Sequence, residues 1–303
     1  MTIMAIRRLS RGMKTGAFAI SAIVLALGTS FPELFVSFTS ALKGSPNLSF
    51  GLVLGSNIAN LSLIAGVAGV ISGNVKISAG SRFKRDMGIA LVAGVLPTIL
   101  VLDRNLSRVD GLILLAVYGA YASSFFRTRF EEIGRMQSKE NVVYRFFRQF
   151  NNVYTKKRTE LGRFFVGIAL FLFVSDSMVR VSIQIAEILN VPIFLIGLVL
   201  VAIGTSLPEL AFSLQTLRNG EPSMFFGNLL GSVIANSTLV IGIVAVISPI
   251  EVFAVENYLV AVVAFLVIYT VFWFMVRSNH KLSRGEAFVL VCMYALFVFV
   301  EFI

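Results

Sequence analysis

Residues 23–72 recur without a gap at residues 199–248, an offset of 176, with 23 identities in 50 positions. The first copy centres on Gly28-Thr29-Ser30-Phe31-Pro32-Glu33-Leu34, and the second on Gly204-Thr205-Ser206-Leu207-Pro208-Glu209-Leu210. Further along, Gly55-Ser56-Asn57-Ile58-Ala59-Asn60 matches Gly231-Ser232-Val233-Ile234-Ala235-Asn236. Chance likeness between apolar stretches yields matched Leu, Val and Ile. It does not yield matched Gly, Thr, Ser, Pro, Glu and Asn. Any fold for this chain must hold two equivalent units around whatever these residues do.

The units belong in a membrane. Hydrophobic residues make up 57% of the 303 and charged residues only 14%, too few charges to cover a soluble domain of this length. Runs of about 20 apolar residues, the length that crosses a bilayer core as a helix, fall at roughly 17–42, 47–72, 87–102, 107–126, 161–186, 192–217, 223–248, 257–276 and 284–303. The expected fold is all-α, a polytopic transmembrane helical bundle of nine spans. A polar, basic segment at 127–160 divides the chain into 1–126, with four spans, and 161–303, with five. Tyr144, Phe146, Phe147, Phe150 and Tyr154 in that segment point to an amphipathic piece on the membrane surface. No cleavable signal peptide is expected, and Met1 to Lys14 reads as a basic membrane flank.

The net charge of +10 raises nucleic-acid binding, which the placement of the charges excludes. Threading the chain through nine spans puts the N-terminus, 73–86, 127–163, 218–222 and 277–284 on one side, with 22 of the 26 Lys and Arg residues. Lys43, Arg104 and Arg108 fall on the other, and Arg180 lies within a span. This bias places the N-terminus and the 127–160 segment in the cytoplasm and the protein in the cytoplasmic membrane. From the first span to the sixth there are five crossings. Five is odd, so the second copy enters from the opposite side: an inverted-topology repeat, whose axis in the membrane plane brings the two motifs together near the bilayer centre.

Glu33 and Glu209 then sit mid-span, where an uncompensated carboxylate costs several kcal/mol. No Lys or Arg of the motif spans lies at their depth. Two glutamates brought together also repel. A bound cation, or protons, relieves both problems, and hard oxygen ligands suit calcium. Pro32 and Pro208 each lack an N–H and clash with the carbonyl four residues back, at Gly28 and Gly204, loosening the helix where backbone oxygens can line a cavity. Thr29, Ser30, Thr205 and Ser206 add hydroxyls. Ser56 with Asn60, and Ser232 with Asn236, are spaced i, i+4 on one helix face. Asp176 and Arg180, also i, i+4, read as a local ion pair. The lone His280 reads as a solvated loop residue, and the lone Cys292 forms no intrachain disulfide.

At these motifs the sequence resembles the sodium/calcium exchanger family of the cation/calcium antiporter superfamily, of prokaryotic type, and the likeness in span layout covers essentially the whole chain. The resemblance implies two inverted halves of five helices and alternating access, with the opening helix of each repeat sliding across the rest. It implies a central calcium site from Glu33, Glu209 and the carbonyls of Thr29 and Thr205. Sodium sites would use Ser30, Ser206, Ser56 and Ser232 with carbonyls near Ala26 and Ala202, and Asn60 and Asn236 would line the centre. Two departures stand out. Some members carry Asp where this chain has Asn236. Also, Met1 aligns with Ser177, late in the 161–186 span, so the opening helix of the first repeat is missing from the sequence: the chain start comes too late, which is the favoured reading, or the protein works without that helix, or it is not a working transporter.

The expected function is antiport of Ca2+ for Na+. A proton-coupled variant stays open, because a glutamate pair can share protons. A channel, or a protein that has lost transport, also stays open. An enzyme is not expected, since the only His and Cys are peripheral. No cofactor is expected. The partners are inorganic cations and the lipid bilayer, and the sequence carries no signal of oligomeric state.

Overall fold

The computed structural model describes residues 29–76, 81–136, 158–252, 255–278 and 281–302. Among them nine helical rods follow one another: α1 (Phe31–Leu42), α2 (Pro46–Ser72), α3 (Ser81–Leu100), α4 (Arg108–Met136), α5 (Arg158–Leu189), α6 (Ile193–Arg218), α7 (Pro222–Ile247), α8 (Val255–Ser278) and α9 (Arg284–Glu301). Each overlaps one expected span. Helices α2, α6, α7, α8 and the Ala169–Leu189 part of α5 are long and apolar enough to cross a bilayer. Helix α4 runs past the expected end of its span at 126, and α5 starts at Arg158, so the polar connection is helical at both ends. The start of the first span, the aromatic residues of 137–157 and His280 lie outside the described residues.

The repeat is written into local structure at a finer grain than the motifs. The reversals between α1 and α2 and between α6 and α7 turn on Gly44 (φ 69°) and Gly220 (φ 72°), where a Cβ would be strained. Each is followed by a proline in the first turn of the next helix, Pro46 and Pro222, where the missing N–H costs nothing. Helix α2 widens to a π-helical turn at Asn60–Ile64, and α7 at Ala235–Val240. There the Ser62 hydroxyl donates to the Ile58 carbonyl at 2.5 Å and the Thr238 hydroxyl to Ile234 at 2.6 Å, competing for carbonyls that the α-helical ladder uses. Ser107 caps α4 through Asp110, and Ser283 caps α9 through Glu286. All of these pairs sit at or within one residue of the offset of 176, so the duplication extends well past residue 72.

Two short antiparallel ladders fix which connections share a side. β1 (Val75–Lys76) pairs with β4 (Lys281–Leu282), and β2 (Asn105–Leu106) with β3 (Ile250–Glu251). Nine-span threading puts an even number of spans between the partners in both cases, as hydrogen bonding requires. The same offset carries β2 onto β4 and, within one residue, β1 onto β3. The ladders are therefore one contact seen twice, at opposite rims, with Leu106 and Leu282 fully buried beneath them.

The halves interlock. Gly66 of α2 packs on α9, where a Cβ would lie 2.7 Å from the Ala287 carbonyl oxygen. Its counterpart Gly242 of α7 packs on α4, 3.0 Å from the Gly111 carbonyl oxygen. Phe50 of α2 stacks on Tyr258 of α8 (5.6 Å), and its counterpart Phe226 of α7 meets Phe83 of α3 edge-on (5.5 Å). The closest approach joins α2 to the start of α6. A Cβ on Gly51 or Gly55 would strike the carbonyl of Phe194 or Leu198, and one on Gly197 that of Leu48. Small residues permit such backbone contact within a membrane.

Helix α5 is held differently. Its Ala169–Leu189 stretch is 22% buried, against 89% for α2. It meets the bundle through Ser175, Val179, Ser182 and Ala186, while Leu170, Phe173, Val174 and Ile188 face outward. The expected Asp176–Arg180 pair is present at 2.7 Å. Lys43, at the end of α1, also grips Asp176, through its carboxylate and, at 3.3 Å, its backbone carbonyl.

Gly55→Ala and Gly197→Ala are expected to destabilise the protein by about 1–3 kcal/mol, because backbone cannot yield as a side chain can. Gly88 has nothing within 4 Å among the described residues, so Gly88→Ala is expected to be neutral or stabilising by up to about 1 kcal/mol. Thermal unfolding in detergent checks both; a Gly55→Ala protein that melts with the wild type would contradict the backbone contact.

Candidate cation-binding centre

Glu33 lies in the first turn of α1 and Glu209 in the first turn of Leu207–Arg218, the second piece of α6. Both pieces open alike, on Ser30 (φ −84°, ψ 7°) and Ser206 (φ −84°, ψ 0°), with a proline next to each glutamate. At Ser206 the chain is kinked rather than severed. The Ser206 N–H still reaches the Ala202 carbonyl, and the N–H groups of Leu34 and Leu210 reach the carbonyls of Ser30 and Ser206, each at 3.1 Å. What the kink frees is the Gly204 carbonyl, to which Pro208 has no N–H to offer. It also sets each carboxylate at the amino end of a half-helix, where the helix dipole favours negative charge.

Both glutamates are 0% exposed. Neither carboxylate has a hydrogen bond of good geometry, and the two charges act on each other across the site. The threonines are exchanged between repeats: the Thr205 hydroxyl lies alongside Glu33, and the Thr29 hydroxyl alongside Glu209. The flanks are exchanged as well. Thr29 donates to Asn228 Oδ1 at 3.1 Å, and Ser30 donates to Ser232 Oγ at 3.2 Å, so the first motif faces the second repeat's Gly-Ser-x-x-x-Asn helix. On the other flank Ser56 and Ser206 are fully buried with unpartnered hydroxyls, and a Cβ on Gly55 would lie 2.9 Å from the Ala202 Cβ. Asn60 and Asn236, both 0% exposed, have neither amide atom bonded.

Every expected site residue among those described is thus buried at the two kinks or on the helices against them. Ala26 lies outside the described residues. The Ala202 carbonyl accepts from both the Ser206 N–H (3.1 Å) and the Thr205 hydroxyl (3.3 Å), which fills its two lone-pair directions.

Five further residues join the site. Asn57 donates to Ser237 Oγ at 2.7 Å, linking α2 to α7, and Asn228 takes the Thr29 hydroxyl. At the offset of 176 these stand opposite Val233, Leu61 and Leu52, so the repeat hides them; only their polarity within apolar spans marks them. Ser37 and Ser213, fully buried and unpartnered, match across the repeat and follow the glutamates by four residues. That spacing is the signal that could have found them.

Unsatisfied buried polar atoms carry a large cost unless something compensates them. Here they are overwhelmingly oxygens, gathered around two negative charges. Among the described residues no cluster of three or more His, Cys, Asp or Glu could hold a metal. The centre is therefore chemistry for a hard cation met by two carboxylates and neutral oxygens.

The family profile described as "Sodium/calcium exchanger protein" matches residues 3–127 and 159–303. The chain is 29% identical over 322 residues to the sodium/calcium exchanger MaX1 of Methanosarcina acetivorans, covering 97% of this chain and 91% of that one. It is 30% identical to the inner membrane protein YrbG of Escherichia coli, over 77% of this chain and 70% of that one. The solved sodium-calcium exchanger NCX_Mj superposes with a TM-score of 0.66 over 97% of this chain and 90% of that one, at 22% identity, a likeness of fold.

Calcium is expected to raise the melting temperature of the purified protein, by the equivalent of about 2.7 kcal/mol at a hundredfold excess over its dissociation constant. Glu33→Gln and Glu209→Gln should each lose that shift while remaining folded in its absence. A calcium-induced shift of wild-type size in both variants would remove the glutamates from the site.

Proposed function

The chain belongs to the sodium/calcium exchanger family, and from that premise we propose how its residues carry out the antiport of Ca2+ for Na+. The observation that carries the reading is the pair of matching helix starts that bury Glu33 and Glu209 among unsatisfied oxygens, with no Lys or Arg paired to either among the described residues. One divalent cation neutralises both carboxylates at once. Monovalent cations do so singly, each with hydroxyl and carbonyl help. Occupancy by one kind of ion therefore excludes the other, which is the condition for exchange.

In this reading Ca2+ sits between Glu33 and Glu209 with the carbonyls of Thr29 and Thr205, while Asn60 and Asn236 line the centre. Sodium ions use Ser30 with Ser232 on one flank and Ser206 with Ser56 on the other. The Ala202 carbonyl serves only when its two intrahelical donors let go. Residues 1–126 and 161–303 act as the two inverted repeats, joined by the 127–160 segment on the cytoplasmic side of the cytoplasmic membrane. Helix α5, held by a face of small residues and the Lys43–Asp176 contact, is the element that slides to switch access from one side to the other. Asn236 leaves the centre with two carboxylates, so Glu33 and Glu209 supply the acidic charge there.

Liposomes loaded with sodium and diluted into sodium-free buffer containing calcium are expected to take up calcium, and Glu33→Gln or Glu209→Gln to abolish the uptake. Uptake driven by a proton gradient but not by sodium would move the protein to cation/proton exchange. Calcium flux that needs neither gradient would make it a channel.

A further inference from the structure

Buried serine and threonine hydroxyls in helices ordinarily donate to a carbonyl three or four residues back. Six buried hydroxyls among the described residues do so: Thr98 to Val95 at 2.6 Å, Ser182 to Met178 at 2.8 Å, Thr216 to Phe212 at 3.1 Å, and Ser62, Thr205 and Thr238 as described above. Among the described residues, the fully buried serine hydroxyls without a partner are those of Ser37, Ser56, Ser206 and Ser213. Ser56 and Ser206 belong to the flanking sodium set. Ser37 and Ser213 are left over, and they are each other's counterparts at the offset of 176.

Each follows a glutamate by four residues on the same helix, and so shares its face one turn further on. Three residues on from each serine, on the same face, the buried hydroxyl of Ser40 or Thr216 has a backbone partner. Ser40 donates to the Ser45 carbonyl at 2.5 Å, and Thr216 to Phe212 and Ser213. The unsatisfied oxygens thus extend one turn beyond each carboxylate and stop. A serine hydroxyl left unbonded can turn its hydrogen aside and present a lone pair, the hard neutral ligand that a cation accepts in exchange for water.

The two stations face opposite ways. Helix α1 runs from its kink to Lys43, and α2 then returns to the rim that holds β1. The second piece of α6 runs to Arg218, and α7 returns to the rim that holds β3. β3 pairs with β2, which α3 separates from β1. Lys43 and Arg218 therefore mark opposite faces, Ser37 lies on the way to one and Ser213 on the way to the other. Resting on the antiport reading above, we propose that Ser37 and Ser213 are a further pair of cation-contacting residues, one on each half of the transport path. Each passes a partly dehydrated cation between the central carboxylates and its own face of the membrane.

Exchange measured in right-side-out and inside-out membrane vesicles separates the two faces. Ser37→Ala is expected to raise KM for calcium supplied at the Lys43 face by about tenfold, the worth of one contact to a charged group, with KM at the Arg218 face and the maximal rate close to wild type. Ser213→Ala should give the mirror result. Ser37→Cys and Ser213→Cys keep the volume but lose the oxygen, and should behave as the alanine variants do. Cysteine variants with wild-type kinetics would assign both positions to packing. Unchanged KM at both faces, or an equal rise at both, would overturn the assignment to half-paths. These outcomes are read against wild-type flux, whose own absence would count against antiport rather than against the two serines.

Discussion

Two carboxylates held at the middle of a membrane protein, each without a positive side chain to meet it among the described residues, are the constraint around which the rest is arranged. An apolar core would expel them, and a lysine or arginine would neutralise them permanently. This fold does neither. It sets each carboxylate in the first turn of a helix, at the positive end of its dipole, and it lines the space with hydroxyl and amide oxygens that are themselves unsatisfied. The attraction for a cation is left uncancelled by the protein, and transport needs that imbalance, because a site that satisfied itself would have no reason to take an ion from water.

The second condition is that the imbalance be the same seen from either side. Inversion meets it by building both approaches from one design, down to the turn glycines, the π-helical turns, the capping serines and the rim ladders. The interlocking of the halves follows. Gly66 receives Ala287 and Gly242 receives Gly111, so each repeat completes its core only with the other. The departures from symmetry are polar and central: Asn57, Asn228 and Ser237 stand where the other copy has Val233, Leu52 and Leu61. The two sides of the site are thus alike in scaffold and unlike in detail.

Much of this was legible in the sequence. The matched motifs gave the inverted duplication and named residues that the structure buries together, because Gly, Pro, Glu and Asn at mid-span have few structural uses and the repeat removed chance. The charge bias gave the sides, which the pairing of β1 with β4 and β2 with β3 supports. Other features were out of reach of the sequence. The Lys43–Asp176 contact joins residues 133 apart, with no pattern to connect them. The repeat beyond residue 72 rests on a few matches, such as Leu106-Ser107-Arg108 with Leu282-Ser283-Arg284, too sparse to notice before the caps were seen. Continuation of α4 to Met136 ran against polar composition, which marks the end of an apolar span but not the end of a helix. The full occupation of the Ala202 carbonyl depends on hydroxyl geometry that no sequence displays.

The uneven burial of the helices has a mechanical consequence. Helix α2 is gripped on nearly all sides by backbone and side chains, and the ladders clasp loops of opposite repeats at both rims, so the centre behaves as a stiff frame. Helix α5 lies outside that frame, with Leu170, Phe173, Val174 and Ile188 turned to the lipid. Any displacement of α5 is a displacement against acyl chains. In the sliding of α5 proposed above, the bilayer then adds its own drag, and the membrane becomes a working part of the machine as well as the medium that holds it.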